Sequence, residues 1–268
     1  MKVRDVLFVL LMIFVILVLS IPTLLGAFGV LPSEDLRLIA KQYLYLSYNL
    51  YNKSLWSASP EVVAAIVWDY RGLDTLYETM VFYTAVVTAL MFYSEILGSK
   101  DIIGGRGLSL IVKRGTSIVL LAILAVGTST ILHGMLTPGG GFQGGAIMAV
   151  APVIAVIVFS RVFIDRSKLT YAHFVTLRSI ALLGIILTPL IPVIVTFGNA
   201  FIFQNQAKNV SNFSYPQTIV DVPMGGLITI MNIFEGIAVF SAFALAFAIL
   251  LYSEELSKKP LEGEDIGY

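Results

Sequence analysis

Six apolar runs punctuate the chain: Val6 to Val30, Thr75 to Leu97, Thr116 to Leu136, Gly145 to Phe163, Phe174 to Phe197 and Leu227 to Tyr252. Each is close to the roughly 20 residues a helix needs to cross the hydrocarbon layer, so the pattern predicts an all-α integral membrane protein of about six spans. Lys2 and Arg4 precede the first run as they would in a signal peptide. That run is too long for one and no small-residue cleavage site closes it, so an anchor is expected. Between the first two runs, PSEDLRLIAKQYLYLSYNLYN repeats Leu36, Ile39, Tyr43, Leu46 and Leu50 at helical spacing. With Ser33 as its N-cap, acidic residues in its first turn and a cluster of tyrosines suited to the headgroup level, it reads as an interfacial helix.

The Lys and Arg residues orient these spans. With the N-terminus inside, the cytoplasmic segments hold eleven, from Lys2 and Arg4 to Lys258 and Lys259, and the outer segments five, Arg37, Lys41, Lys53, Arg71 and Lys208. Both termini are therefore expected on the cytoplasmic face of the plasma membrane. The triplets starting at Asn52, Asn209 and Asn212 fall outside in this arrangement. The KDIIGGRG linker divides the chain near residue 105 into a two-span part, 1–104, and a four-span part, 105–256; the acidic end, 257–268, is expected to be disordered.

Composition agrees with the pattern and narrows the chemistry. The chain is 57% hydrophobic and 13% charged, with a mean hydropathy of +0.90, where a soluble domain carries about a quarter charged residues. No net charge points to nucleic acid or an acidic partner. Without Cys there is neither a disulfide framework nor a thiolate or iron-sulfur site, and two separated His residues make a poor metal site. No cofactor is expected in this chain, so a redox centre would lie in another one.

Against that background the carboxylates inside apolar runs stand out. In AIVWDYRGLDTLYETMVFYTAVV, Asp74 and Glu78 are four apart and share one helical face. Two carboxylates so placed, away from bulk water, push at least one towards its protonated form, as a site exchanging protons near neutral pH requires. Asp69 and Arg71, just before a break at Gly72, are positioned to pair with them or to cap the helix. The plainer alternative makes Asp74 an N-cap and places Glu78 in the first turn. It accounts less well for Glu78, because a carboxylate a full turn into an apolar helix costs a few kcal/mol unless it faces protein or water. Glu235, in GGLITIMNIFEGIAVFSAF with Asn232 three residues earlier on the same face, is a second such group. Glu95 is expected to be solvated and Arg178 to snorkel from an inner helix end. His133 suits a proton relay or an interface position equally.

Between the third and fourth runs lies HGMLTPGGGFQGGA, with five glycines from Gly139 to Gly145. A phosphate-binding loop is disfavoured, since no strand precedes it, no Lys-Ser/Thr follows and the topology places it outside. Pro138, Gly139, Gly140, Gly141, Phe142, Gly144 and Gly145 read instead as a tight or re-entrant turn at membrane depth, covered by protein.

HGMLTPGGGFQGG resembles the signature of the MnhB-like B subunit of Mrp-type cation/proton antiporters and the F subunit of archaeal membrane-bound hydrogenases. VVAAIVWDYRGLDTLYE resembles the E subunit of those hydrogenases, equivalent to the C-terminal end of the large Mrp subunit. The chain thus looks like a fusion of the two, with NIFEG matching the acidic motif of the family's last span. The resemblance implies an ion-translocating membrane arm shared by Mrp antiporters, hydrogenases and sulfur reductases. It implies other Mrp-like membrane subunits as partners, a hydrogenase-like or iron-sulfur module on the cytoplasmic side, and Na⁺ or H⁺ as the ion. It also implies that Asp74 and Glu78 line the path and that Glu235 is a second acidic site. Members often carry a second His where this chain has Met135, which weakens a relay through that position. The alternatives are a non-conducting assembly scaffold and an independent secondary transporter.

Overall fold

The computed structural model describes residues 3–25, 36–92, 107–159, 171–219 and 221–250. The chain divides into two compact units, Met1–Gln42 and Tyr43–Tyr268. The first contains helix α1 (Val3–Leu24), whose described side chains are exposed all round and, apart from Ser20, apolar. The expected first span thus continues beyond the described residues. Ser33 and the acidic residues after it, Glu95, the join near residue 105 and the tail 257–268 also lie outside them.

Helix α2 (Leu38–Ser47) has no acidic residue in its first turn, so the expected interfacial helix begins later than Ser33 would have it. A short helix α3 (Val62–Ala65) is N-capped by Glu61, whose carboxylate accepts from Ala64 N–H. It runs into a π turn at Ile66–Tyr70 and then into α4 (Gly72–Phe92), the break falling at Gly72 as expected. The remaining long helices are α5 (Leu110–Leu132), α6 (Gly141–Phe159), α7 (Tyr171–Leu187) and α9 (Leu227–Leu250). A 3₁₀ turn, Thr188–Leu190, carries α7 into the short α8 (Ile191–Val195), with prolines at the start of each piece. A two-residue ladder, β1 (Thr218–Ile219) and β2 (Val222–Pro223), turns the chain back towards α9. Among the described residues, five helical segments are long and apolar enough to cross a membrane: Gly72–Phe92, Leu110–Leu132, Gly141–Phe159, Ala172–Val195 and Leu227–Phe247.

Helix α9 is the axis of the second unit. It packs on α6 and α7, while α5 packs along α6 and also touches α9, where Ile131 lies against Gly236. Leu227, Ile228, Met231, Ala238 and Ala242 of α9 are fully buried in a core with Trp68, Tyr83, Ala181 and Ile185. Small residues let the backbones approach, which is how spans associate where lipid removes the hydrophobic drive between them.

The glycine segment differs from its expectation at the helical end. Helix α6 starts at Gly141 rather than Gly145, so Gly141, Gly144 and Gly145 lie within it and only Gly139 and Gly140, with φ of +154° and +152°, make the turn. The reason is packing. A Cβ on Gly145 would stand 2.5 Å from the Gly236 carbonyl oxygen of α9, and one on Gly144 2.6 Å from the Gly127 oxygen of α5. The run is the seam along which α6 is held between two neighbours.

Gly145→Val is therefore expected to lower the thermal midpoint of the solubilised protein, at a cost of about 1–3 kcal/mol for overpacking. Gly115→Ala, where a Cβ meets nothing within 4 Å, is expected to be neutral or to stabilise by up to about 1 kcal/mol. Thermal unfolding followed by size-exclusion fluorescence checks both; equal losses would remove the seam as the explanation.

Candidate functional site

The first turn of any helix leaves N–H groups without intrahelical partners. In α6 these groups begin inside the protein, and α9 meets them. Asn232 Oδ1 accepts from the Gly141 N–H at 3.4 Å and from Trp68 Nε1 at 3.1 Å. Glu235, three residues further along α9, interacts with the Phe142 backbone N–H. Its Oε2 lies where a Cβ on Gly141 would sit, 2.5 Å away. The helix dipole adds to these bonds by favouring negative charge there. One face of α9 thus closes the start of α6, and the π turn supplies Trp68 to the same point.

Beside this contact is a cavity of about 140 Å³ lined by Thr75, Glu78, Thr79, Phe82, Tyr83, Phe142, Glu235 and Val239. Two of the sequence-selected carboxylates, Glu78 from α4 and Glu235 from α9, therefore share one space. Glu78 is exposed on this chain's surface, whereas Glu235 is half-buried. Phe82 and Phe142 on its wall pack with Phe243 in an aromatic cluster with ring centroids 5.5–6.0 Å apart. Such a cavity holds a few waters or a partly hydrated small cation.

Residues 111–245 match the family described as a domain related to the MnhB subunit of Na⁺/H⁺ antiporter. The chain belongs to that family. An uncharacterised protein of Methanocaldococcus jannaschii is 27% identical, covering 77% of this chain and 82% of the relative. Among solved structures, a chain of the membrane-bound sulfane sulfur reductase, an archaeal respiratory membrane complex, is 25% identical with a TM-score of 0.66, covering 92% of this chain and all of that one. A chain of the Mrp complex from Dietzia sp. DQ12-45-1b shares the fold at 16% identity and a TM-score of 0.53; it matches the whole of this chain, which spans 27% of that longer one. This MnhB-related chain is a membrane subunit of the Mrp-like kind, and its neighbours are multisubunit membrane complexes.

The remaining sequence-selected residues divide around that cavity. Asp74 does not line it; its Oδ2 takes Arg71 Nε at 2.6 Å and Nη2 at 2.5 Å in an exposed ion pair, an arrangement that contributes little to stability. His133 is exposed at the C-cap of α5, its Nδ1 3.2 Å from Ser129 Oγ, and also stands apart from the cavity. Pro138 is exposed in the bend before the glycines. Met135 is buried at 2% exposure, and its carbonyl accepts from the Ser59 hydroxyl and the Glu61 N–H.

One residue escaped the sequence reading and another was misplaced by it. Tyr83, on the cavity wall, is within electrostatic reach of both Glu235 and Arg178, and its hydroxyl is buried without a hydrogen-bond partner among the described residues. Arg178 does not snorkel. It is 8% exposed, with Nε and Nη1 likewise unpartnered among the described residues. It shares the face of α7 that carries Ala181 and Ile185 into the core, three and seven residues on.

Beyond the spans, a polar knot anchors the start of α9. Gln204, Asn205 and Gln206 are buried; Asn205 Oδ1 accepts from Leu227 N–H at 2.9 Å, and its amide donates to the Ser57 and Gly225 carbonyls. Next to it, Asp69 lines a pocket of about 290 Å³ with Leu46, Leu55, Tyr70, Phe201 and Lys208 among its walls. Burial pushes the Asp69 carboxyl up to about 6, opposed by Lys208, Ser57 and Asn205. No group of three or more His, Cys, Asp or Glu among the described residues is arranged to hold a metal ion.

Asn232→Ala orphans both the Trp68 indole and the Gly141 N–H and is expected to cost about 2–4 kcal/mol, more than Trp68→Phe at about 1 kcal/mol plus lost packing. Thermal midpoints of the two purified variants check this order; the reverse would show that Asn232 does not join the two segments.

Proposed function

We propose that this chain is a non-catalytic subunit of a cation/proton-translocating module, in which Glu78 and Glu235 exchange Na⁺ or H⁺ through the cavity between α4, α6 and α9. The observation that carries this reading is the meeting of two intramembrane carboxylates in one space, chosen from separate parts of the sequence. A carboxylate in a span is tolerated where it faces protein or water, and Glu78, open on this chain's surface, needs a companion subunit or a hydrated route to cover it. The MnhB-related family and the respiratory and Mrp complexes among its neighbours supply the context. Asp74 and Arg71 form an exposed ion pair outside the cavity, and Tyr83 is within electrostatic reach of both Glu235 and the buried cation Arg178. Both termini lie on the cytoplasmic side, where a ferredoxin-linked hydrogenase-like or sulfur-reducing module would attach and would carry the redox cofactors.

One observation favours a scaffold role for half of the site. Glu235 also closes the N-terminal turn of α6, so its loss bears on folding as well as conduction. Glu78 makes no such contact, which makes it the cleaner probe.

In proteoliposomes holding the intact complex, Glu78→Gln is expected to leave assembly unchanged and to lower Na⁺- or H⁺-dependent transport by about a hundredfold, the smaller effect of a positioned proton-transfer group. Full transport by a correctly assembled Glu78→Gln complex would end the conduction reading; dissociation of the complex would establish the scaffold in its place.

A further inference from the structure

Three buried polar groups cluster outside the spans with no role in the cavity. Asp69 Oδ2, Ser57 Oγ and the Tyr70 hydroxyl are all shut from solvent and have no hydrogen-bond partner among the described residues. Ser57 is fully buried, and it and the Asn205 amide lie close enough to Asp69 to favour its ionised form. The charged and titratable groups that face Asp69 come from separate segments. Lys208 reaches it from the chain following α8, Tyr70 adjoins it on the π turn, and Tyr43 of α2 stacks on Tyr70 with centroids 5.4 Å apart. The pocket in front of Asp69 has polar walls at Gln204 and Lys208 and, at about 290 Å³, space for several waters.

Leaving a carboxylate oxygen buried and unpaired is costly, whereas its protonated form is neutral and has a hydrogen to donate. The Lys208 cation and the Ser57 and Asn205 side chains together offset that penalty only in part. The site is thus arranged to hold a proton and to release it when water reaches the carboxyl.

We propose that Asp69 is a second proton-binding site of this chain, loaded from the aqueous phase through the pocket that Leu55, Phe201 and Lys208 line, and distinct from the Glu78–Glu235 cavity. Loading transfers a proton from hydronium to the carboxylate and returns water. The two sites have no lining residue in common. They meet through the backbone, because Trp68, the residue before Asp69 on the π turn, is bonded to Asn232, one turn before Glu235. A π turn inside a helix is a frequent device at functional sites, since it re-aims adjacent side chains. Here it sends Trp68 into the bundle and leaves its neighbour at the pocket.

Infrared difference titration of the purified complex tests this directly. The wild type is expected to show a carboxyl band that titrates with a midpoint near 6 and is lost in Asp69→Asn. Lys208→Gln removes a cation that favours the ionised form, so it is expected to keep the band and move its midpoint upward. A raised carboxyl gives stability that is complete below the ordinary Asp range near 3.8 and is lost as pH rises through about 6. The thermal midpoint of Asp69→Asn is accordingly expected to gain on the wild type between about pH 4 and about pH 6 and to hold that gain at higher pH. A band that survives in Asp69→Asn, or a midpoint unmoved in Lys208→Gln, would overturn the proposal. Should Asp69→Asn fail to assemble, Lys208→Gln decides alone, because it retains the carboxyl. The Glu78→Gln complex keeps the band whether or not it transports, so this site and the cavity stand or fall separately.

Discussion

Helix α6 has to begin inside the protein, and its leading N–H groups need acceptors where water and lipid supply none. Asn232 and Glu235 of α9 provide them. This demand explains why a polar and an acidic residue interrupt an otherwise apolar helix. It also explains why glycine crowds the start of α6, since α9 approaches closely enough to serve as the cap only where no Cβ intervenes. The carboxylate that completes this contact is the same one that enters the cavity with Glu78. Structure and chemistry therefore draw on one pair of side chains spaced three residues apart.

The long spans were legible because twenty apolar residues in sequence have few other fates. Among the described helices the disagreements lay at the ends: α5 starts at Leu110, capped by Ser109, rather than at Thr116, and α6 takes in glycines that propensity assigns to a turn. Intrinsic preference disfavours glycine in a helix by about 1 kcal/mol. Tertiary contact with Gly236 and Gly127 outweighs that preference, and no local pattern reports a contact with a helix some ninety residues away.

The site was legible in part for a similar reason. Glu78 and Glu235 stood out because charge inside an apolar run is expensive, and the fold does bring them together. Asp74 stood out equally, yet it pairs with Arg71, its neighbour by three residues, in an exposed ion pair that does not line the cavity. Tyr83 and Arg178 gave weaker signals. A tyrosine in a span is ordinary, and an arginine near a helix end has an innocent explanation until the rotation of its helix is known. The Gln204–Asn205–Gln206 knot gave none, because three adjacent amides in a polar stretch look solvated until the chain is seen to fold around them. Buried amides of that kind work only when nearly every donor and acceptor is met, and here they hold the segment that carries Lys208 against the π turn.

The turn between α5 and α6 has a further consequence for how this sequence can change. Gly134 abuts Gly140, and both lie against Asn232, so the connection has no slack. A residue inserted between Thr137 and Gly141 would advance α6 by roughly 100° about its axis, carrying its smooth face away from both adjoining helices at once. Loop length is usually the freest variable between spans. In this chain it is the phase setting of an entire helix.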